Sequence, residues 1–239
     1  MKHGSNLHRP GILMNKKFWI IIYLAVLAAD LFAVYSNNEA ARYVTKPLLM
    51  PLLVVYFGFS TNPVTSSLKK WILLALLFSW AGDVFLMFES MNDFFFIFGL
   101  AAFLAAHIFY IIFFTLIRNK ENVTSKWGFI VLVICYYLFL MDLLQPHLES
   151  MKLPVRIYGL VLMLMFYAAL LMGFVKKRDF GILIIIGASL FVLSDSLLAI
   201  NKFYKQFEYA GIAIMFSYGV AQLLITLGAV LYISSVSKQ

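Results

Sequence analysis

Charged residues are scarce in this sequence. They make up 13% of its 239 residues, whereas hydrophobic residues make up 63%, and the mean hydropathy is +0.92. Soluble domains are on average roughly 25% charged and 45–50% apolar. A chain of this length has too little interior to bury the surplus apolar side chains, which excludes a water-soluble globular domain. The composition therefore predicts an integral membrane protein.

Cysteine is almost absent, and the motifs of common catalytic and nucleotide-binding sites are missing. The single cysteine, Cys135, cannot form an intramolecular disulfide bond. The sequence contains no glycine-rich phosphate loop, no HExxH pair and no serine-centred nucleophile elbow. Only His107 lies within an apolar run, whereas catalytic zinc usually needs three protein ligands. We expect neither a metal nor an organic cofactor.

Long apolar runs are what the sequence has instead. A helix that crosses a membrane needs roughly 20 mostly apolar residues. Eight such segments occur, at residues 18–35, 46–60, 71–88, 94–117, 127–144, 155–175, 180–200 and 208–233. Continuous runs of this length favour helices over strands. The predicted fold class is all-α: a polytopic membrane helix bundle of about eight transmembrane helices, forming one transmembrane domain over residues 1–239 behind a polar tail at residues 1–17.

The distribution of lysine and arginine predicts the orientation of the bundle. With the N-terminus inside, thirteen of the 19 basic residues fall on the inner side and six on the outer side. The tail at residues 1–17 and both termini are therefore expected in the cytoplasm. Basic residues spread over short loops do not form the patch that nucleic acid requires, so no nucleic-acid partner is expected. The expected membrane is the bacterial plasma membrane, or the endoplasmic reticulum in a eukaryote.

The eight segments also fall into two sets of four, at residues 18–126 and 127–239. Polar residues of the two sets match in the same order at spacings of 110 to 115 residues: Asp30 with Asp142, Lys46 with Arg156, Asp83 with Asp195, and His107 with Gln222. With four helices in each set, the two copies would cross the membrane in the same direction. The pattern suggests two parallel four-helix repeats.

Among the acids inside predicted membrane-spanning helices are Asp83 in "LLFSWAGDVFLMF" and Asp195 in "SLFVLSDSLLAIN". A charged side chain there costs roughly 2.5–3.5 kcal/mol on insertion scales, so it normally faces the bundle interior. Each acid lies five residues before the estimated outer end of its segment, so both carboxylates can reach one cavity. Repulsion and desolvation would then keep one protonated and one ionised, as acid–base catalysis requires. The alternative is that each acid only bonds a neighbouring helix.

Basic and amide side chains near the outer ends of the segments are candidates for binding a lipid head group. Lys46 is expected to open the second helix, with Pro47 in its first turn, where a missing N–H costs nothing. It would anchor a phosphate, pair with the acids, or act only as an interfacial lysine. Asn201 and Lys202 follow Asp195 at the water interface and could also hold a head group.

Two further polar groups lie on the fourth and eighth helices. His107 and Tyr110 share one face of the fourth helix. Counted from the outer end of that helix, His107 lies about 20 Å down, which is deeper than the acids. Tyr218, Gln222 and Thr226 form a polar stripe on the eighth helix. Both groups could line the site or form hydrogen bonds between helices.

Taken in order, these residues resemble the motifs of the lysoplasmalogenase (YhhN-like) membrane protein family. The motifs are Lys46-Pro47, Gly82-Asp83, His107-x-x-Tyr110, Ser194-Asp195, Asn201-Lys202 and Tyr218-x-x-x-Gln222. They extend over nearly the whole chain. The resemblance implies a hydrolase that cleaves the vinyl ether bond of a lysoplasmalogen, a membrane lipid, into a fatty aldehyde and glycerophosphoethanolamine or glycerophosphocholine. It also implies that Asp83 and Asp195 are catalytic and that the other motif residues bind substrate.

Two alternative functions are compatible with the residues alone. Two parallel repeats, a proline-containing helix and acids within the membrane would also suit a proton-coupled transporter of a small molecule or lipid. A non-catalytic lipid-binding protein is the other alternative, although it would not require two acids at matched depth. Release of aldehyde from a lysoplasmenyl lipid separates the hydrolase from both.

The basic residues generate a prediction about topology. Reporter fusions at Gln239 and in the 60–70 loop should both report a cytoplasmic location, because thirteen of 19 lysine and arginine residues lie on that side. A fusion in the 36–45 loop should report the opposite side and serves as the control. An external signal from either of the first two fusions would invert the topology.

Overall fold

Eight long helices build the protein. The computed structural model describes residues 16–62 and 64–236, and these residues include no strand. The helices are α1 (Lys16–Tyr35), α2 (Glu39–Thr61), α3 (Lys69–Met87), α4 (Asp93–Lys120), α5 (Trp127–Leu144), α6 (Lys152–Leu170), α7 (Arg178–Ala199) and α8 (Ala210–Val236). Each belongs to a helical segment that is long and apolar enough to cross a membrane. The predicted all-α fold of an integral membrane protein is confirmed.

Short irregular segments extend three of these helices. Two 3₁₀ turns, Gln145–His147 and Glu149–Met151, connect α5 to α6, and a third, Leu171–Phe174, follows α6. A π-helical segment, Ile200–Tyr204, continues α7. Most of the predicted tail, residues 1–15, lies outside the described residues, and Lys16 and Lys17 form the start of α1.

Helix α2 begins earlier than the hydropathy of the sequence predicts. The side chain of Asn38 caps it by accepting a hydrogen bond of 3.0 Å from the amide of Ala41, and Glu39 lies in its first turn. Lys46 is therefore two turns inside α2, and the expectation that Lys46 opens this helix with Pro47 in its first turn is wrong. The polar stretch "EAARYV" lowers the hydropathy of the first two turns of α2. Hydropathy indicates which residues contact lipid, so it does not locate the start of a helix whose first turns are polar.

The two prolines inside α2 create a specific link to α3. Pro51 has no N–H group, so the carbonyl oxygen of Pro47, four residues earlier, has no donor within the helix. The indole Nε1 of Trp80 donates a hydrogen bond to that oxygen at 3.0 Å. A neighbouring helix thus satisfies the carbonyl that the proline leaves free, as membrane interiors require.

The helix contacts have an internal correspondence. Helix α2 packs against α1, α3 and α8, and α6 packs against α5, α7 and α4. Exchanging the first four helices with the last four converts one set of neighbours into the other. This correspondence supports the two-repeat hypothesis, which stays a prediction.

Helices α7 and α8 pack closely at a glycine. A Cβ atom on Gly187 would lie 2.8 Å from Cγ1 of Ile225 and 3.1 Å from both the carbonyl oxygen of Ala221 and the amide nitrogen of Ile225. Two of these three neighbours are backbone atoms of α8, so they cannot move aside cheaply. The absence of a side chain at this position lets the two helices approach.

We expect Gly187→Ala to lower the free energy of unfolding by about 1–3 kcal/mol, because overpacking forces the two helices apart. Gly58→Ala is the matched control: Gly58 is also within a helix, but a Cβ atom added there would have no neighbour within 4 Å. Alanine there should be neutral or stabilising by about 0.5–1 kcal/mol. Thermal unfolding in detergent micelles measures both. Equal stability of the two variants would contradict the close packing.

Candidate active site

A cavity of about 360 Å³ lies at the end of the bundle where α1 joins α2 and α3 joins α4. One face of α2 lines it with Glu39, Arg42, Tyr43 and Lys46. Both Asp83 of α3 and Asp195 of α7 line the same cavity. The two acids that stand out in the sequence are therefore accessible to one bound molecule.

Asp83 is buried between α2 and α8. Its Oδ2 atom accepts a hydrogen bond of 2.7 Å from the hydroxyl of Tyr218, and its Oδ1 atom lies 4.0 Å from Nζ of Lys46. The side chains of Lys46 and Asp83 are only 8% and 3% exposed. Lys46 thus provides the positive charge that a carboxylate in this apolar interior needs.

A buried hydrogen-bond network supports the hydroxyl of Tyr218. The amide nitrogen of Gln222 donates to Oγ of Ser79 at 2.9 Å and lies 3.5 Å from the hydroxyl of Tyr218. The hydroxyl of Tyr110 donates to the amide oxygen of Gln222 at 2.6 Å. Tyr110 and Gln222 therefore stand behind Tyr218 and fix its position, since a fully bonded polar network is rigid.

Asp195 has a different pair of partners. Its Oδ2 atom accepts a hydrogen bond of 2.5 Å from the hydroxyl of Tyr158 in α6 and lies 3.3 Å from Nε2 of His107 in α4. The same imidazole nitrogen lies 3.0 Å from the hydroxyl of Tyr158. These three polar atoms form one cluster. The contacts of Asp195 within the described part of the chain all use Oδ2.

The expectation that His107 lies deeper than the acids is wrong. Asp195 is itself deeper than estimated, because the π-helical segment continues α7 for nine residues beyond it, to Tyr204. The ring of Phe96, in the first turn of α4, contacts the ring of Phe203 in that segment at a centroid distance of 5.8 Å. The start of α4 is therefore level with the end of the segment that continues α7. His107 follows Phe96 by 11 residues and Asp195 precedes Phe203 by eight, so the two side chains meet deeper in the bundle.

A second, apolar pocket joins the cavity at Asp195. It has a volume of about 50 Å³, and it shares Leu86, Phe103, Asp195 and Leu198 with the larger cavity. Its other walls come mainly from apolar side chains of α4, α5 and α6 and of the π-helical segment, among them Phe96, Leu140, Leu144, Val155 and Phe203. We call this pocket the apolar slot. Asp195 lines both the apolar slot and the polar cavity, whereas Asp83 lines only the polar cavity.

The remaining predicted residues lie nearer the surface. Asn201 lines the cavity, and its side-chain oxygen accepts a hydrogen bond of 3.3 Å from the amide of Phe207. Nζ of Lys202 lies 3.4 Å from a carboxylate oxygen of Glu89 and 5.0 Å from the ring centre of Phe96. Lys202 therefore reaches the cavity only through Glu89, which lines it.

Tyr158 is the functional candidate that the sequence interpretation missed. It contacts both His107 and Asp195, yet tyrosine in an apolar helix is too common to attract notice. One signal could have found it. Tyr158 follows Lys46 by 112 residues, the same spacing that separates Asp195 from Asp83. Each of these residues contacts the acid of its own half of the chain.

Metal-binding groups are not clustered in the described ranges. Residues 16–62 and 64–236 contain no group of three or more histidine, cysteine, aspartate or glutamate side chains that could hold a metal ion. The expectation that no metal or cofactor is needed stays a prediction.

Fold and site together define a polytopic membrane protein with two acids at one cavity among its helices. Within that class, the chain belongs to the YhhN family, which matches residues 41–229. The family resemblance of its motifs is thereby confirmed. No solved structure matches the chain.

Several relatives carry the name lysoplasmalogenase. Lysoplasmalogenase TMEM86B of Homo sapiens is 36% identical over 65% of this chain and 61% of its own length. The protein of the same name from Rattus norvegicus is 35% identical over 74% of this chain and 69% of its own length. Lysoplasmalogenase of Mycobacterium tuberculosis is 32% identical over 67% of this chain and 60% of its own length. The chain thus spans less than two thirds of the human and mycobacterial relatives.

The ion pair of Lys46 with Asp83 generates a prediction about stability. Lys46→Met should lower the free energy of unfolding by about 3–5 kcal/mol, because it leaves a buried carboxylate without its positive partner. Adding Asp83→Asn to this variant should recover most of the loss. Unfolding by sodium dodecyl sulfate in mixed micelles measures both variants.

The control for this prediction is Lys202→Met. Lys202 pairs with Glu89, but both side chains are about one third exposed, at 36% and 35%. Such a pair contributes at most about 1 kcal/mol. A Lys46→Met variant as stable as Lys202→Met would show that the buried pair contributes nothing to the fold.

Proposed function

We propose that this protein is a membrane-embedded hydrolase that cleaves the vinyl ether bond of lysoplasmalogens. The products would be a fatty aldehyde and glycerophosphoethanolamine or glycerophosphocholine. The observation that carries the proposal is that Asp83 and Asp195 line one cavity beside an apolar slot. The relatives named lysoplasmalogenase support it, since they align with this chain over most of its length.

The reaction needs one proton donor and one water molecule. A proton adds to the β-carbon of the vinyl ether, and the positive charge is shared by the α-carbon and the ether oxygen. Water then adds to the α-carbon and loses a proton. The resulting hemiacetal collapses to the aldehyde and the glycerol hydroxyl. Two carboxyl groups suit this sequence, as they suit the oxocarbenium-like transition state of glycoside hydrolysis.

The polar cavity and the apolar slot together give the bound lipid a direction. The first carbons of the alkenyl chain would enter the apolar slot and the rest of the chain would extend between the helices, while the glycerophospho head would occupy the polar cavity. The β-carbon is the vinyl carbon on the chain side, so it would lie at the junction, next to Asp195. The α-carbon and ether oxygen would face the cavity, next to Asp83. We therefore assign the proton donor to Asp195 and the ionised carboxylate to Asp83.

The surroundings of the two acids agree with these roles. Asp83 has the ammonium of Lys46 at 4.0 Å and a hydroxyl donor on its other oxygen, and both groups offset part of the cost of a buried negative charge. As a carboxylate it would stabilise the cation and orient water from the cavity. Asp195 contacts a phenol and an imidazole. In this proposal the proton that the added water loses reloads Asp195 from the side of the cavity, while His107 and Tyr158 position its carboxyl group.

The other motif residues have supporting roles in this proposal. Tyr218 holds Asp83, while Tyr110 and Gln222 hold Tyr218. Asn201 lines the cavity wall beside the substrate, and Lys202 orients Glu89 at the surface. The site would face the outer side of a bacterial plasma membrane, or the lumen of the endoplasmic reticulum in a eukaryote, with both termini cytoplasmic.

The acids provide the direct test of the function. Purified wild-type protein in detergent micelles should release fatty aldehyde from a lysoplasmenyl lipid. Asp83→Asn and Asp195→Asn should each reduce the rate at least about 100-fold, the lower end of what a positioned general acid or base contributes. The double variant should be little slower than the slower single variant, because the two groups act as a unit.

The pH dependence tests whether the two acids act as a pair. The wild-type rate should have a rising and a falling limb, because one carboxyl group must be ionised and the other protonated, and the two limbs belong to the pair. Asp83→Asn and Asp195→Asn should each lose at least one limb. A variant that keeps both limbs would contradict the paired mechanism.

Asp142→Asn is the control, since Asp142 is an exposed acid on α5 that lines neither pocket. It should keep the wild-type rate and pH profile. Wild-type rates in both Asn variants at the site would refute the mechanism. Uptake of substrate into vesicles without aldehyde would favour the transporter, and lipid binding without either would favour the non-catalytic protein.

A further inference from the structure

The polar cavity has a second set of charged residues beside the two acids. Glu39, Arg42, Tyr43 and Lys46 follow one another at helical spacing, so they form a single stripe along α2 from its first turn inward. Lys46 at the inner end of the stripe pairs with Asp83. The outer part of the stripe, with Arg42 at its centre, has no role in the chemistry proposed above.

One donor of the half-buried Arg42 side chain lacks an acceptor. Its Nε atom is buried, and it has no hydrogen-bond partner among the residues that the structure describes. The guanidinium nevertheless lines the cavity. A buried donor without an acceptor is costly, and a guanidinium fits the oxygen atoms of a phosphate group with two parallel hydrogen bonds. An anion bound at this place in the cavity would satisfy the unpartnered donor.

Carboxylates lie around that place. Glu39 and Glu89 both line the cavity, Glu39 from the first turn of α2 and Glu89 from the connection between α3 and α4. The ring of Tyr43, which also lines it, lies 5.7 Å from the ring of Phe88. Carboxylates and aromatic faces are the groups that bind ammonium ions. An anion site with acidic and aromatic neighbours matches a zwitterion.

The position of Arg42 relative to Lys46 fits the length of a glycerol unit. Arg42 precedes Lys46 by one helical turn, which is about 6 Å along the axis of α2. Three glycerol carbons separate the ether oxygen of the lipid from its phosphate, a comparable length. With the vinyl ether at the acids, the phosphate would lie level with Arg42.

We propose that Arg42 binds the phosphate of a zwitterionic lipid head group, and that Glu39 and Glu89 face its ammonium. This inference rests on the proposed function, because it places the rest of the same substrate. It assigns residues of this chain to the head group of the substrate proposed above. Alkenylglycerol, which has no phosphate, and head groups with a net negative charge are disfavoured.

The test compares Arg42→Gln with wild type on two substrates, an alkenyl-glycerophosphoethanolamine and the matching alkenylglycerol. The wild type should have the lower KM for the phospholipid. Arg42→Gln should reduce the ratio of the two kcat/KM values at least about tenfold, through KM, as expected for the loss of a charged hydrogen bond. Glu39→Gln should reduce the preference for the ethanolamine lipid over alkenyl-glycerophosphate, which lacks the amine.

The control is Arg156→Gln, since Arg156 is exposed on α6 and hydrogen-bonds Gln145 at 2.7 Å outside both pockets. It should keep the wild-type ratio. An Arg42→Gln variant with the same ratio as wild type would overturn the head-group assignment.

A binding measurement keeps this inference separate from the proposed function. A lysophosphatidylethanolamine with a saturated ether chain cannot be hydrolysed, but it should raise the melting temperature of the wild type and not that of Arg42→Gln. Stabilisation without aldehyde release from any substrate would refute the hydrolase and support the head-group site. Equal stabilisation of both proteins would overturn the site, whether or not the lipid is cleaved.

Discussion

The fold depends on how two carboxylates are kept inside a membrane. A buried carboxylate needs hydrogen-bond donors or a positive charge, because lipid and apolar side chains offer neither. Asp83 obtains them from α2 and α8, through Lys46 and Tyr218. Asp195 obtains its donors from α6 and α4, through Tyr158 and His107. Each acid thereby connects three helices, so the contacts that satisfy the acids also hold the walls of the cavity together.

The two halves of the chain stabilise their buried acids with different residues at matching positions. Lys46 and Tyr158 are 112 residues apart, as are the two acids that they contact. The sequence pattern pairs Lys46 with Arg156 instead, but Arg156 is exposed and bonds Gln145. If the halves are repeats, replacing an ammonium with a phenol is the step that gives the acids different environments. Two carboxyl groups with different environments can take the separate roles of acid and base.

The number of helices and the meeting of the two acids at one cavity could be predicted, because both depend on the cost of placing polarity in lipid. Hydropathy could not locate the start of α2, since an amphipathic first turn capped by Asn38 is helical without being apolar. The depth of His107 was misjudged because the π-helical segment after Asp195 has no recognisable sequence signal. Periodicity along one helix could not assign Tyr158 or Arg42, because their positions matter through the helices that adjoin them; only the 112-residue spacing from Lys46 points to Tyr158.

The polar cavity and the apolar slot suit the solvation that the proposed reaction requires. Hydrolysis needs water at the α-carbon, whereas the chain attached to the β-carbon is most stable away from water. The polar cavity, with Lys46 and Asp83, can supply water to one carbon, and the apolar slot can shelter the other. Asp195, with a side chain 11% exposed against 3% for Asp83, lies where the two environments meet. A proton donor at that boundary can be reloaded from the wet side and can act on the dry side. The proposed reaction would thus use the difference between Asp195, which borders both pockets, and Asp83, which borders only the cavity.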